Sequence, residues 1–162
     1  MGRLTDINTT HMLCFVIPAL QVDGTLPAGV HVATWTEIET AFGGSAWRKR
    51  LLRGLRAALA SLKAAGCPTA YIDGSFVTAK KAPGDFDACW EMVGVDATKL
   101  DPVLLDFSNK RARQKAKFGG ELFPAGWPAD ATGMTFVRFF QVDKQTGNPK
   151  GIVAIDLGKW KP

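Results

Sequence analysis

Residues 70–90 read AYIDGSFVTAKKAPGDFDACW, and the fold turns on how this stretch divides. Ala70-Tyr71-Ile72 reads as a short strand and Asp85 to Trp90 as a second, joined by a glycine- and lysine-containing loop. Side chains alternate along a strand, so Asp85 and Asp87 share one face while Phe86 turns toward the core. Two carboxylates held close repel unless a cation lies between them. Hard oxygen ligands with open positions suit Mg2+ or Mn2+ together with triphosphate oxygens. Gly74, directly after the first strand, permits close backbone approach, and the Ser75 hydroxyl and nearby amides can hydrogen-bond phosphate oxygens. Lys80 and Lys81, in the loop, can neutralise triphosphate charge or simply stand in solvent. The plainer alternative makes Asp85 and Asp87 turn and strand-start acids beside Pro83-Gly84. The strand and Gly74-Ser75, nine residues ahead of Asp85, favour a built site.

Upstream of this stretch, Ser45 can cap a helix to about Ala65, with Leu51, Leu52, Leu55, Leu59 and Leu62 on one stripe and Gly66 as the stop. Another face of that helix carries Lys49, Arg53 and Arg56, with Arg48 and Arg50 beside them, and reads as a solvated basic face. Thr36 and Glu39 match a capping box for a brief helix ending at Gly43-Gly44. Residues 18–34 hold Pro18, Gly24, Pro27 and Gly29 and read as an extended surface lead-in carrying no chemistry. Downstream, Asp101-Pro102 opens a helix expected to run to about Phe118, and it carries Lys110, Arg111, Arg113, Lys115 and Lys117. Gly119-Gly120 ends it, and Glu121-Leu122-Phe123 reads as a third strand closed by Pro124. The apolar runs Met134 to Val142 and Gly151 to Leu157 are short enough to be strand or helix.

The chain has 162 residues, 46% hydrophobic and 22% charged, a balance that fits one globular domain over residues 18–162. Residues 1–17 read as a leader or cloning remnant plus an N-terminal extension, without the features of a signal peptide. Apolar runs such as Leu13 to Leu20 fall far short of the ~20 residues a membrane span needs, so no membrane partner is expected. Cys14, Cys67 and Cys89 have neither paired ligand spacing nor an even count, which argues against a disulfide framework or a zinc site and for a cytoplasmic location. Cys67 and Cys89 fit core positions beside the strands. His11 and His31 stand alone and suggest no general base. A net charge of +5 favours a polyanionic partner.

Gly74-Ser75, nine intervening residues and Asp85-Phe86-Asp87 together resemble the signature of the polymerase-beta-like nucleotidyltransferase superfamily. Leu26-Pro27 through Thr34-Trp35, the block Tyr71 to Thr78, Gly120 to Pro124 and Lys150 to Val153 resemble a group of short bacterial and phage proteins of that kind, over about residues 18–157. The resemblance implies an α+β fold in minimal form, a small mixed sheet packed against helices, and the element order agrees. It also implies an enzyme that moves a nucleoside monophosphate from a nucleoside triphosphate to a hydroxyl acceptor. Asp85 and Asp87 would hold Mg2+ or Mn2+, and Gly74, Ser75, Lys80 and Lys81 would meet the triphosphate. A third strand-borne carboxylate is expected, Glu121 by preference and Asp106 as its rival. Positive charge and small size favour RNA, tRNA in particular, as acceptor, with the basic segment from Lys110 to Lys117 beside the site. Compact members of the superfamily resemble toxins restrained by a cognate antitoxin protein. The competing expectations are a noncatalytic nucleic-acid-binding module on a degenerate core, and an antitoxin or regulatory protein acting through a protein partner.

Overall fold

A computed structural model describes residues 17–162. The expected leader, with His11 and Cys14, lies outside the described residues except for Ile17, which is buried in the main core. Among the described residues, five strands, β1 (Gly29–Val32), β2 (Thr69–Asp73), β3 (Phe86–Trp90), β4 (Gly120–Pro124) and β5 (Gly151–Asp156), form one sheet in the order β1-β5-β2-β3-β4. The β1/β5 and β3/β4 pairs are parallel and the β5/β2 and β2/β3 pairs antiparallel, so the sheet is mixed. The described residues also hold four α-helices, α1 (Trp35–Phe42), α2 (Ala46–Ala64), α3 (Ala112–Phe118) and the single turn α4 (Phe136–Phe139), which complete an α+β fold.

The two faces of the sheet are covered differently, because alternate strand residues point opposite ways. Ile72, Phe86, Ala88, Leu122, Val153 and Ile155 face a core built with α1, α2 and Phe118 of α3. Cys89, Phe123 and Ile152 face a smaller aromatic cluster with Phe136 and Phe140, where the Phe123 and Phe136 rings stack at 4.1 Å. The leucines read as a stripe do form the buried face of α2: Leu51, Leu52, Leu55, Leu59 and Leu62 are all at most 4% exposed. Ser45 caps this helix, its side chain accepting from Arg48 N at 3.1 Å. Cys67 and Cys89 are both buried beside strands.

Gly54 sets how closely α2 and α3 approach. A Cβ at this position would lie 1.7 Å from the Phe118 carbonyl oxygen, so a side chain would force the two helices apart. Gly54→Ala is expected to cost about 3 kcal/mol, the upper range for overpacking. Urea denaturation measures this, and a loss below ~1 kcal/mol would mean that the contact relaxes freely.

Four expectations need correction. The capping box is Thr34 with Glu37, since Thr34 has the extended backbone of a cap and Glu37 reaches back to its amide at 2.6 Å, whereas Thr36 lies inside the helix. The lead-in contains β1, which the sequence concealed because its partner β5 lies more than a hundred residues downstream. The helix expected from Asp101 to Phe118 is divided: Asp101 caps a 3-10 turn over Pro102–Leu105, and Asn109, Lys110 and Arg111 have φ of 45°, 52° and 58° before α3 begins. A right-handed helix cannot continue through left-handed residues, each of which costs roughly 1–2 kcal/mol outside glycine. Finally, β3 starts at Phe86, leaving Asp85 just ahead of the strand. Of the two ambiguous runs, the first holds α4 and the second is β5.

Candidate functional site

The sheet register brings together acids that are distant in sequence. Asp73 pairs with Asp87 across β2 and β3, and Asp87 pairs with Glu121 across β3 and β4. Cross-strand partners point to the same face, so these three carboxylates form a row on the face opposite α2, with Asp85 two residues before Asp87. Phe86, between them, is fully buried on the helix side.

Asp73, Asp85 and Asp87 open into a cleft of about 560 Å³ that is also lined by Gly74, Ser75 and three lysines, Lys80, Lys144 and Lys150. Gly74 is required where it stands. Its φ is +81°, and a Cβ there would sit 2.6 Å from Oδ2 of Asp87, in the space the carboxylate occupies. Burial and the neighbouring Asp85 and Asp73 push the Asp87 carboxyl up from 3.8 to about 6. Burial and Glu121 also raise Asp85. Asp73 is raised by burial, against the opposing pull of Lys150, which hydrogen-bonds it in a buried ion pair. The cleft therefore holds these three carboxyl groups together with the three lysines, of which Lys150 is in direct contact with Asp73.

The loop from Ser75 to Lys80 is held from behind by Arg48 of α2, which is 8% exposed. Its guanidinium donates to the carbonyls of Phe76 at 2.7 Å, Thr78 at 2.8 Å, Lys80 at 2.6 Å and Phe42 at 3.3 Å. Thr78 Oγ1 donates to the Ser75 carbonyl at 2.7 Å, and the Ala79 amide to Gly24 at 2.9 Å. Further along the connection, Trp47 Nε1 donates to the Pro83 carbonyl at 2.6 Å.

Of the residues singled out from the sequence, Gly74, Ser75, Lys80, Asp85 and Asp87 line the cleft. Lys81 is exposed and outside its lining. Glu121 keeps its place in the row, but its carboxylate is taken by Arg111 at 3.0 Å and Lys115 at 2.8 Å. Burial raises Glu121, but hydrogen bonds from those two cations outweigh it and hold the carboxyl below its ordinary value. The left-handed turn at Asn109–Arg111 carries the Arg111 guanidinium to Glu121 and over the Phe123 ring at 5.3 Å. Asp106 is elsewhere: it accepts from Ser108 and pairs with Arg113 at 3.1 Å. Among the described residues, no group of three or more His, Cys, Asp or Glu side chains is placed to hold a metal ion. Asp85 and Asp87 thus offer two carboxylates without Glu121.

Sequence reading missed Asp73, Lys144 and Lys150. Asp73 adjoins Gly74 and alternates with Tyr71, a signal that could have placed it on the open face. The lysines reach the cleft only through the path of the 142–150 loop, which no local pattern reveals. Asp23, Gly24 and Thr25, in the lead-in expected to carry no chemistry, also line the cleft. His31 lies on β1, its Nε2 2.7 Å from the Pro27 carbonyl oxygen. No helix among the described residues is long and apolar enough to cross a membrane.

The chain belongs to a family of unknown function (DUF6932), matched over residues 18–156. No curated protein and no solved structure matches the chain.

Proposed function

For this member of the family, we propose a metal-dependent nucleotidyltransferase of the polymerase-beta-like kind, moving a nucleoside monophosphate from a nucleoside triphosphate to a hydroxyl of RNA. One observation carries the reading: Asp73, Asp85 and Asp87 line one cleft together with Lys80, Lys144 and Lys150, beside Gly74-Ser75. A cleft that concentrates both signs of charge suits a ligand that brings both, a polyphosphate with a divalent cation.

The residues fit such a cation. Mg2+ is commonly held by one or two carboxylates, with substrate phosphates and water filling the remaining positions. Asp85 and Asp87 would hold it, and their mutual repulsion, which adds to burial in raising the Asp87 carboxyl, is what a cation relieves. Bound Mg2+ or Mn2+ supplies charge neutralisation at the reacting phosphate.

The chain's own groups bind and orient. Lys80 and Lys144 neutralise the triphosphate, and the Ser75 hydroxyl donates to one of its oxygens. Asp73 fixes Lys150 through their buried ion pair. An acceptor hydroxyl oxygen then forms a bond to the α-phosphorus, the bond to the bridging oxygen breaks, and pyrophosphate leaves. The hydroxyl proton passes to a carboxylate of the row.

The noncatalytic binding module is the second reading, and one observation favours it. Glu121 is occupied by Arg111 and Lys115 and does not join Asp85 and Asp87.

Incubation with each α-labelled nucleoside triphosphate, Mg2+ or Mn2+, and total cellular RNA and protein separates the two. Wild type is expected to label RNA, with transfer reduced at least ~10³-fold in Asp85→Ala/Asp87→Ala, the scale of losing principal electrostatic stabilisation. Label in protein would redirect the acceptor. No label, with no metal-dependent triphosphate binding, would leave the binding module.

A further inference from the structure

The basic segment from Lys110 to Lys117 is largely neutralised within the chain. Arg111 and Lys115 pair with Glu121, Arg113 with Asp106 and Lys117 with Asp101. Helix α2 differs. Its sequence contains no acidic residue, and Lys49, Arg50, Arg53 and Arg56 are exposed with no ion pair among the described residues.

Lys49, Arg53 and Arg56 fall at steps of four and three, on one stripe about 10 Å long at 1.5 Å per residue. They border a groove of about 280 Å³ beside Trp35, whose single acid, Glu39, makes no ion pair with them. Round the helix from this stripe, along the three-residue row Trp47, Arg50, Arg53 and Arg56, the Arg50 guanidinium lies 5.6 Å from the centre of the half-exposed Trp47 ring. Trp47 in turn donates to Pro83, in the loop leading to Asp85.

We infer that this exposed surface of α2 docks the phosphate backbone of single-stranded RNA, with Lys49, Arg53 and Arg56 on successive phosphates and, where the three-residue row winds round the helix toward the loop before Asp85, Trp47 with Arg50 as a stacking plane. Uncompensated cations at regular spacing match a polyanion of regular spacing, and the aromatic-guanidinium pair suits a base. An acidic protein segment would satisfy the charges but not the stacking plane. That the strand end then enters the cleft as acceptor rests on the function proposed above. The docking itself does not.

Fluorescence anisotropy of a labelled single-stranded RNA measures it, with full-length wild type, Lys49→Gln/Arg53→Gln/Arg56→Gln, and Lys110→Gln/Arg113→Gln/Lys117→Gln as comparison. The α2 variant is expected to bind at least ~10-fold more weakly. Its plot of log affinity against log salt should be flatter by about 2, three contacts at ~0.7 each for a single strand. Each single α2 substitution should remove about a third of that slope, and the comparison variant should stay within ~2-fold of wild type. Metal-dependent triphosphate binding should be unchanged in all. If wild type binds RNA through α2 but takes up no triphosphate, the cleft reading fails and the docking surface stands. Absence of RNA binding, equal binding by the α2 variant, or equal competition by polyglutamate at matched charge would overturn the inference.

Discussion

Asp87→Asn is expected to make the protein more stable at neutral pH while abolishing metal-dependent triphosphate binding. The Asp87 carboxyl is raised from 3.8 to about 6, first by burial and then by Asp85 and Asp73. A tenfold change in proton affinity is about 1.4 kcal/mol, so the ionised carboxylate costs the folded state up to roughly 3 kcal/mol. The sign follows from proton linkage. Below about pH 4 the group is mostly protonated in both states and the cost is absent. Between about 4 and 6 the unfolded chain ionises first, and stability falls as pH rises; above about 6 the cost is complete. Asparagine removes it, so in EDTA the gain in Tm should be near zero at pH 4 and reach several degrees at pH 7.5, at roughly 2–4 °C per kcal/mol. Added Mg2+ and triphosphate should raise the wild-type Tm and leave the variant unmoved. A variant less stable than wild type at pH 7.5 would show that the carboxylate is a structural anchor.

Arg48→Met should cost at least about 3 kcal/mol, since hydrogen bonds from a charged group contribute ~1.5–3 kcal/mol each and their loss strands buried carbonyls. The guanidinium spans Phe42, Phe76, Thr78 and Lys80, which one ammonium cannot reach together, so Arg48→Lys should recover only part of the loss. Urea denaturation measures stability. Titration of a fluorescent triphosphate analogue at a temperature where the variant remains folded measures the cleft. Affinity should fall at least ~10-fold, because the Ser75–Lys80 backbone is no longer held, which corresponds to about 1.4 kcal/mol. Wild-type affinity in a folded Arg48→Met protein would mean that the loop keeps its shape without the arginine.

Local chemistry was legible in the chain. The leucine stripe and Ser45 cap of α2 and both strands around the Gly74-Ser75 turn follow from period and from residue type, while Asp85 and Asp87 meet in the cleft although Asp85 stands just ahead of the strand. The capping box was placed two residues late, because Thr36 and Glu39 repeat the same spacing as Thr34 and Glu37 and only the extended backbone at Thr34 distinguishes them. The long helix expected up to Phe118 failed at Asn109–Arg111, where the charged residues have adequate helix propensity and the turn depends on Arg111 meeting Glu121 and Phe123.

By itself, then, the sequence determined the buried stripe and the position of the paired aspartates, because each depends on residues within a few positions of one another, while the α+β class followed from the resemblance and the agreeing element order. Only the tertiary structure decided that Asp73 stands in line with Asp87, that Lys144 and Lys150 close the cleft, that Glu121 is held by Arg111 and Lys115, and that Lys49, Arg50, Arg53 and Arg56 of α2 make no ion pair among the described residues. Strand register and ion pairing are set by contacts between segments far apart in the chain, and a charge written in the sequence carries no mark of whether a partner will neutralise it.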